Sequence, residues 1–94
     1  MIVSLDEAKN YLRVDSDAED TTIENLLKSA QNLCMDVVRM DDESEFDAIG
    51  DIAKIAVLHA LGFFYENRGD ENTDVHALTL RLRSLLFGQR KERF

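Results

Sequence analysis

Between Ile52 and Phe64 the chain reads IAKIAVLHALGFF, apolar on nearly every side of a helix. No other feature constrains the fold as strongly. A helix with one apolar stripe lies on a surface, whereas a helix apolar nearly all round has to be packed on several sides. The run is also well short of the roughly 18–20 apolar residues that a membrane span needs. It therefore reads as the central helix of a bundle. The apolar positions Phe46, Ile49, Ile52, Ala53, Ile55, Ala56, Val57, Leu58, Ala60, Leu61, Phe63 and Phe64 extend it from about Phe46 to Asn67. Asn67-Arg68-Gly69 stops it, with a glycine suited to a left-handed cap. Gly50 and Gly62 fall inside this span, each at a cost of about 1 kcal/mol relative to alanine. A close helix crossing is a structural reason to keep them.

Three further helices are expected around it. Ser4-Leu5-Asp6-Glu7 is a capping box, in which the serine oxygen accepts an amide and the glutamate reaches back. Behind it Leu5, Ala8 and Leu12 share a face, with Tyr11 beside them, and Arg13-Val14-Asp15 ends the helix. Ser16-Asp17-Ala18-Glu19 repeats the capping pattern. Ile23, Leu26, Leu27, Ala30, Leu33, Cys34 and Val37 then recur at spacings of three and four, predicting a helix to about Arg39. Met40 to Glu45 reads as an acidic loop and Asp70 to Thr73 as a polar connection. A last helix, about Thr73 to Phe87, sets Val75, Leu78, Leu82, Leu85 and Leu86 on one side, and Gly88 closes it. There is no proline, no repeat and no alternating strand pattern. The expected fold is all-α: a small bundle of about four helices with a central apolar third helix. Residues 1–88 form the domain, and 89–94 form a basic, polar C-terminal tail. A chain of 94 residues makes one domain. At that size about 60–65% of the unfolded surface is buried, so association with copies of itself or with partners is a natural source of added stability.

The charge is unevenly placed. Residues 1–78 carry six Lys/Arg against eighteen Asp/Glu, a balance of −12. Residues 79–94 carry five (Arg81, Arg83, Arg90, Lys91, Arg93) against Glu92 alone, a balance of +4, which brings the chain to −8. An acidic body repels duplex nucleic acid, whose binding depends on neutralising phosphates. The basic end suits either phosphate or an acidic protein partner. The acidic, amphipathic N-terminus has no basic or apolar leader pattern. The single cysteine excludes a disulfide-built scaffold. Both point to synthesis in the cytosol.

Candidate chemistry fails on spacing. His59 has Ile55, Ala56, Gly62 and Phe63 at helical distance, none of them a second ligand, and reads as a core or boundary histidine. His76 reads as a surface position. Cys34 lies on an apolar face with no cation to lower its pKa, so an inert buried thiol is expected. Asp15 to Asp20 begins like a calcium loop, but its sixth position is Asp20 rather than glycine and its twelfth is Leu26 rather than glutamate. Asp41-Asp42-Glu43 has no such spacing. Asp15-Ser16 resembles the Asp-Ser of acyl carrier proteins, yet Asp17 stands where leucine is usual and only one short helix precedes it. No catalytic, cofactor or metal residues are assigned.

Taken in order, the chain resembles the head–tail connector proteins of tailed bacteriophages, a family of head-completion adaptors also described as DNA-packaging proteins. Val3 to Val14 resembles the family's opening helix and Asp15 to Leu27 its acidic cap and long second helix. Ile55 to Arg68 resembles its most characteristic stretch, an apolar helix ending in Tyr65-Glu66-Asn67-Arg68. Leu85-Leu86 and Arg90 resemble its ending, with Phe87-Gly88-Gln89-Arg90 in place of the common Pro-Tyr-Arg-like segment. The resemblance implies a structural adaptor of a phage or prophage rather than an enzyme. Such adaptors assemble as a ring, often of about a dozen subunits, on the portal vertex of the head. The ring links the portal to head-closure or tail proteins around the DNA channel, so the implied location is the virion head–tail junction, after a stage in the host cytoplasm. Candidate subunit or portal contacts are Tyr65, Glu66, Asn67 and Arg68 at the helix end, and Arg90, Lys91 and Arg93 in the tail. The alternative is a small acidic helical protein-binding or regulatory module without a ring.

Overall fold

The computed structural model describes residues 1–67 and 75–86, and within them the chain is all-α. Five helices follow in order: α1 (Leu5–Leu12), α2 (Asp20–Val37), α3 (Glu43–Asp47), α4 (Asp51–Glu66) and α5 (Val75–Leu86). The α1 capping box forms as its residues dictate. Ser4 Oγ accepts the Glu7 N–H at 3.1 Å and Glu7 Oε1 accepts the Ser4 N–H at 2.9 Å. Arg13 ends α1 in the left-handed conformation, at φ 62°.

The pattern at Ser16–Glu19 does not become a second capping box. Ser16 Oγ accepts from the Ala18 N–H instead, and α2 starts only at Asp20, without a side-chain cap. The cause is tertiary. Lys9 on α1 draws Asp17 and Asp20 to itself at 3.0 and 2.7 Å, while the Glu19 carboxylate is taken by Tyr65. The ammonium of Lys9 is held above its ordinary pKa by Asp20 first and then Asp17.

The expected third helix is two helices. Gly50, at φ 98° and ψ −147°, separates the short α3 from α4 and serves as the N-cap of α4. Part of the expected acidic loop is also helical, because Asp42 accepts the Ser44 N–H at 2.9 Å and caps α3. The bundle therefore has five described helices rather than about four.

α4 is the centre, as its composition requires. It packs against all four other helices, most extensively against α2. Ala53, Ala56, Val57, Ala60 and Leu61 are buried between it and Ile23, Leu27, Ala30 and Cys34 of α2, Phe46 of α3, and Leu78, Leu82 and Leu86 of α5. Small residues at positions 53, 56 and 60 let the helices approach closely. The end of α4 meets the start of α2 through Tyr65 and Glu19, so the two run antiparallel. At the other end Gln31, the one buried polar side chain among the described residues, joins three segments. Its oxygen accepts the Ile2 N–H at 3.0 Å, and its amide donates to Glu43 Oε2 at 2.7 Å. The Met1 ammonium lies 2.8 Å from the same carboxylate oxygen. Gln31 and that ammonium together hold the Glu43 carboxyl below its ordinary pKa.

At Gly62 the close neighbour is a side chain rather than a crossing helix backbone. A Cβ there would stand 3.2 Å from Tyr11 Cε2. Yet the Tyr11 ring is half exposed and can yield by the few tenths of an ångström needed. Gly62→Ala should therefore keep most of the roughly 1 kcal/mol gain in helix propensity. We expect a higher denaturant midpoint in chemical unfolding. A lower one would mean that Tyr11 is held rigidly in place.

Candidate functional site

α1 and α5 flank the outward side of α4 near its C-terminal end and leave a groove of about 410 Å³ between them. Its construction follows from helix periodicity. His59, Gly62 and Glu66 lie three and four residues apart, so they share one face of α4, and Phe63 stands beside them. Across the groove Tyr11 and Leu12 come from the last turn of α1. The floor is low because Gly62 has no side chain. The lining is thus partly aromatic, with polar groups at its rim.

Two cations stand at that rim. Arg13 arrives through the left-handed turn that ends α1, and Arg81 projects from α5. Both are exposed, and no carboxylate among the described residues forms an ion pair with either. The other cations of the α1 and α4 surface are engaged: Lys9 by Asp17 and Asp20, and Lys54 by Glu7 at 3.3 Å. Glu7 in turn sits below its ordinary pKa, chiefly through the Ser4 N–H and then Lys54.

The candidate contact residues separate on inspection. Tyr65 and Glu66 both line the groove. Tyr65 also donates its hydroxyl to Glu19 Oε1 at 2.6 Å, tying the end of α4 to the start of α2. Glu66 is exposed. Asn67 turns back on its own helix, its side-chain amide donating to the Phe63 carbonyl at 2.8 Å. Arg68, Arg90, Lys91 and Arg93 lie outside the described residues. Sequence periodicity did not single out Arg13 or Arg81. The available signal was that Arg13 is a cation at a helix end in an otherwise acidic segment, and that Arg81 belongs to the basic end of the chain on a helix that carries apolar residues.

The remaining chemistry-bearing residues have structural surroundings. Cys34 is fully buried, and burial pushes its thiol up to about 12. His59 is half-buried at the groove and His76 is exposed. Among the described residues no group of three or more His, Cys, Asp or Glu is arranged to hold a metal ion. No helix among them is long and apolar enough to cross a membrane. Large apolar side chains remain at the surface, with Ile55 51% and Tyr11 49% exposed.

Compared with known protein families, residues 2–87 match the model described as phage gp6-like head-tail connector protein. No curated protein and no solved structure matches the chain.

Proposed function

This chain belongs to the phage gp6-like head-tail connector family, and from that premise we infer that it is a ring-forming structural adaptor of a tailed phage or prophage. In this reading copies of the chain close into a ring on the portal vertex. The ring joins the portal to head-closure or tail proteins, and the genome passes through its centre. The observation that carries the reading is the extent of the family match, which runs through all five described helices.

The physical features fit such a role. Ring subunits meet through two different faces, and this chain combines an acidic body with a basic C-terminal end. Exposed Ile55 and Tyr11 supply apolar area for contact. An acidic inner wall lets DNA slide, because phosphates find few cations to pair with. Tyr65 to Arg68 and the tail cations Arg90, Lys91 and Arg93 are the proposed contacts with neighbouring subunits or the portal. For the tail the proposal rests on charge alone.

Native mass spectrometry and negative-stain imaging of the purified protein, alone and with its portal, test this reading. Rings or concentration-dependent oligomers are expected. Changing Arg90, Lys91 and Arg93 together to glutamate should weaken assembly or portal binding. A protein that stays monomeric in every mixture overturns the ring. Unchanged assembly and portal binding in the triple variant removes the tail from the contact.

A further inference from the structure

We propose that the groove flanked by Arg13 and Arg81 receives the acidic α3 corner of a second copy of this chain, the two making the head-to-tail contact between neighbours. The inference rests on the ring reading above and names the surfaces through which the ring would close.

Three observations carry it. The first is unspent positive charge. Arg13 and Arg81 stand at the rim of an aromatic groove without a carboxylate partner among the described residues, in a chain whose net charge is −8. The second is a concentrated counter-charge. From Met40 to Ala53 the chain has no Lys or Arg and holds Asp41, Asp42, Glu43, Glu45, Asp47 and Asp51. Asp41, just before α3, and Asp47, its last residue, are exposed there. The third is placement. The acidic corner precedes the start of α4, whereas the groove lies near its C-terminal end, and a helix of this length spans about 24 Å. One copy cannot bring the two together. A groove at one end and its complement at the other can meet head to tail, a heterologous contact that propagates from copy to copy and closes as a ring where the rotation between neighbours allows it.

In the ring reading the arrangement also accounts for the position of the two arginines. Facing the channel, they would pair with phosphate and retard the genome. Covered by a neighbour's carboxylates, they would be removed from it. Opposite charges at a rim chiefly steer association, and like charges brought face to face there are costly.

The test is a set of charge exchanges in the full chain. Arg13→Glu with Arg81→Glu, and separately Asp41→Lys with Asp47→Lys, should each raise the concentration for half-assembly by roughly tenfold or more. A 1:1 mixture of the two variants should assemble again, as should the single chain carrying all four changes. Restoration is the decisive readout, because a change that merely damaged folding would not be reversed by a second one; circular dichroism checks the helix content of each chain. Wild-type-like assembly in both double variants overturns this contact while leaving the ring intact. So does a failure of both the mixture and the fourfold variant to recover. Loss of retention on duplex DNA in the Arg13/Arg81 variant, with assembly unchanged, assigns the arginines to phosphate and also overturns the contact. A wild-type chain that never assembles, alone or with its portal, overturns the ring reading itself.

Discussion

Phe46→Ala should cost about 3–5 kcal/mol, the range for emptying a fully enclosed aromatic site. Phe46 is completely buried and is the one buried side chain of α3. A five-residue helix has too few internal hydrogen bonds to persist alone, so α3 holds its position because this ring is inserted beside α4. Losing it would also loosen Glu43, and with it the carboxylate that Gln31 and the chain's amino terminus share. In a domain of this size each kcal/mol moves the melting temperature by roughly 4–8 °C. A fall of more than about 10 °C is therefore expected, together with early loss of amide protection over residues 42–50 in hydrogen exchange. Phe46→Leu, which leaves most of the volume filled, should lose much less. Equal losses for leucine and alanine would show that ring shape, not cavity volume, sets the stability here.

The second large effect is expected at Gly50. No atom lies within 4 Å of where a Cβ would stand, so crowding does not select glycine. Its backbone does: φ 98° with ψ −147° is a region that L-residues with a side chain occupy only under strain. Gly50→Ala should cost about 1–3 kcal/mol, seen as a lower denaturant midpoint with an unchanged slope. The mirror image of this conformation is ordinary extended backbone. A D-alanine at position 50, introduced by chemical synthesis, should therefore equal or exceed glycine in stability, because it also restricts the unfolded chain. If L- and D-alanine behaved alike, the backbone account of Gly50 would be wrong.

These two residues also mark where sequence reasoning reached and where it stopped. Periodicity located the central helix, its buried alanines, the apolar face of α2 and the enclosed thiol of Cys34, because burial repeats with the turn of a helix. It ran straight through Gly50, since Phe46, Ile49, Ile52 and Ala53 keep helical spacing across the break. The only local hint was an acidic residue, Asp51, directly after a glycine, where a new helix start favours negative charge. The Ser16–Glu19 pattern misled for the opposite reason. Its residue types were right for a cap, but Tyr65, distant in sequence, claimed the Glu19 carboxylate that would have completed it, and Lys9 drew in the neighbouring Asp17 and Asp20. Long-range competition of that kind has no periodic trace. The groove is of the same kind: Tyr11, Gly62 and Arg81 are brought together only by packing of α1 and α5 on α4.

The enclosed thiol of Cys34 has a practical consequence. It lies on the buried face of α2, fully covered and with its proton held tightly by burial. A thiol reagent can react with it only while the core around it is parted, because the reactive species is the thiolate. The chain thus carries its own clock for opening: the labelling rate at one natural atom measures how often the core around α2 opens. The same rate followed through assembly would show how far neighbouring copies suppress that breathing.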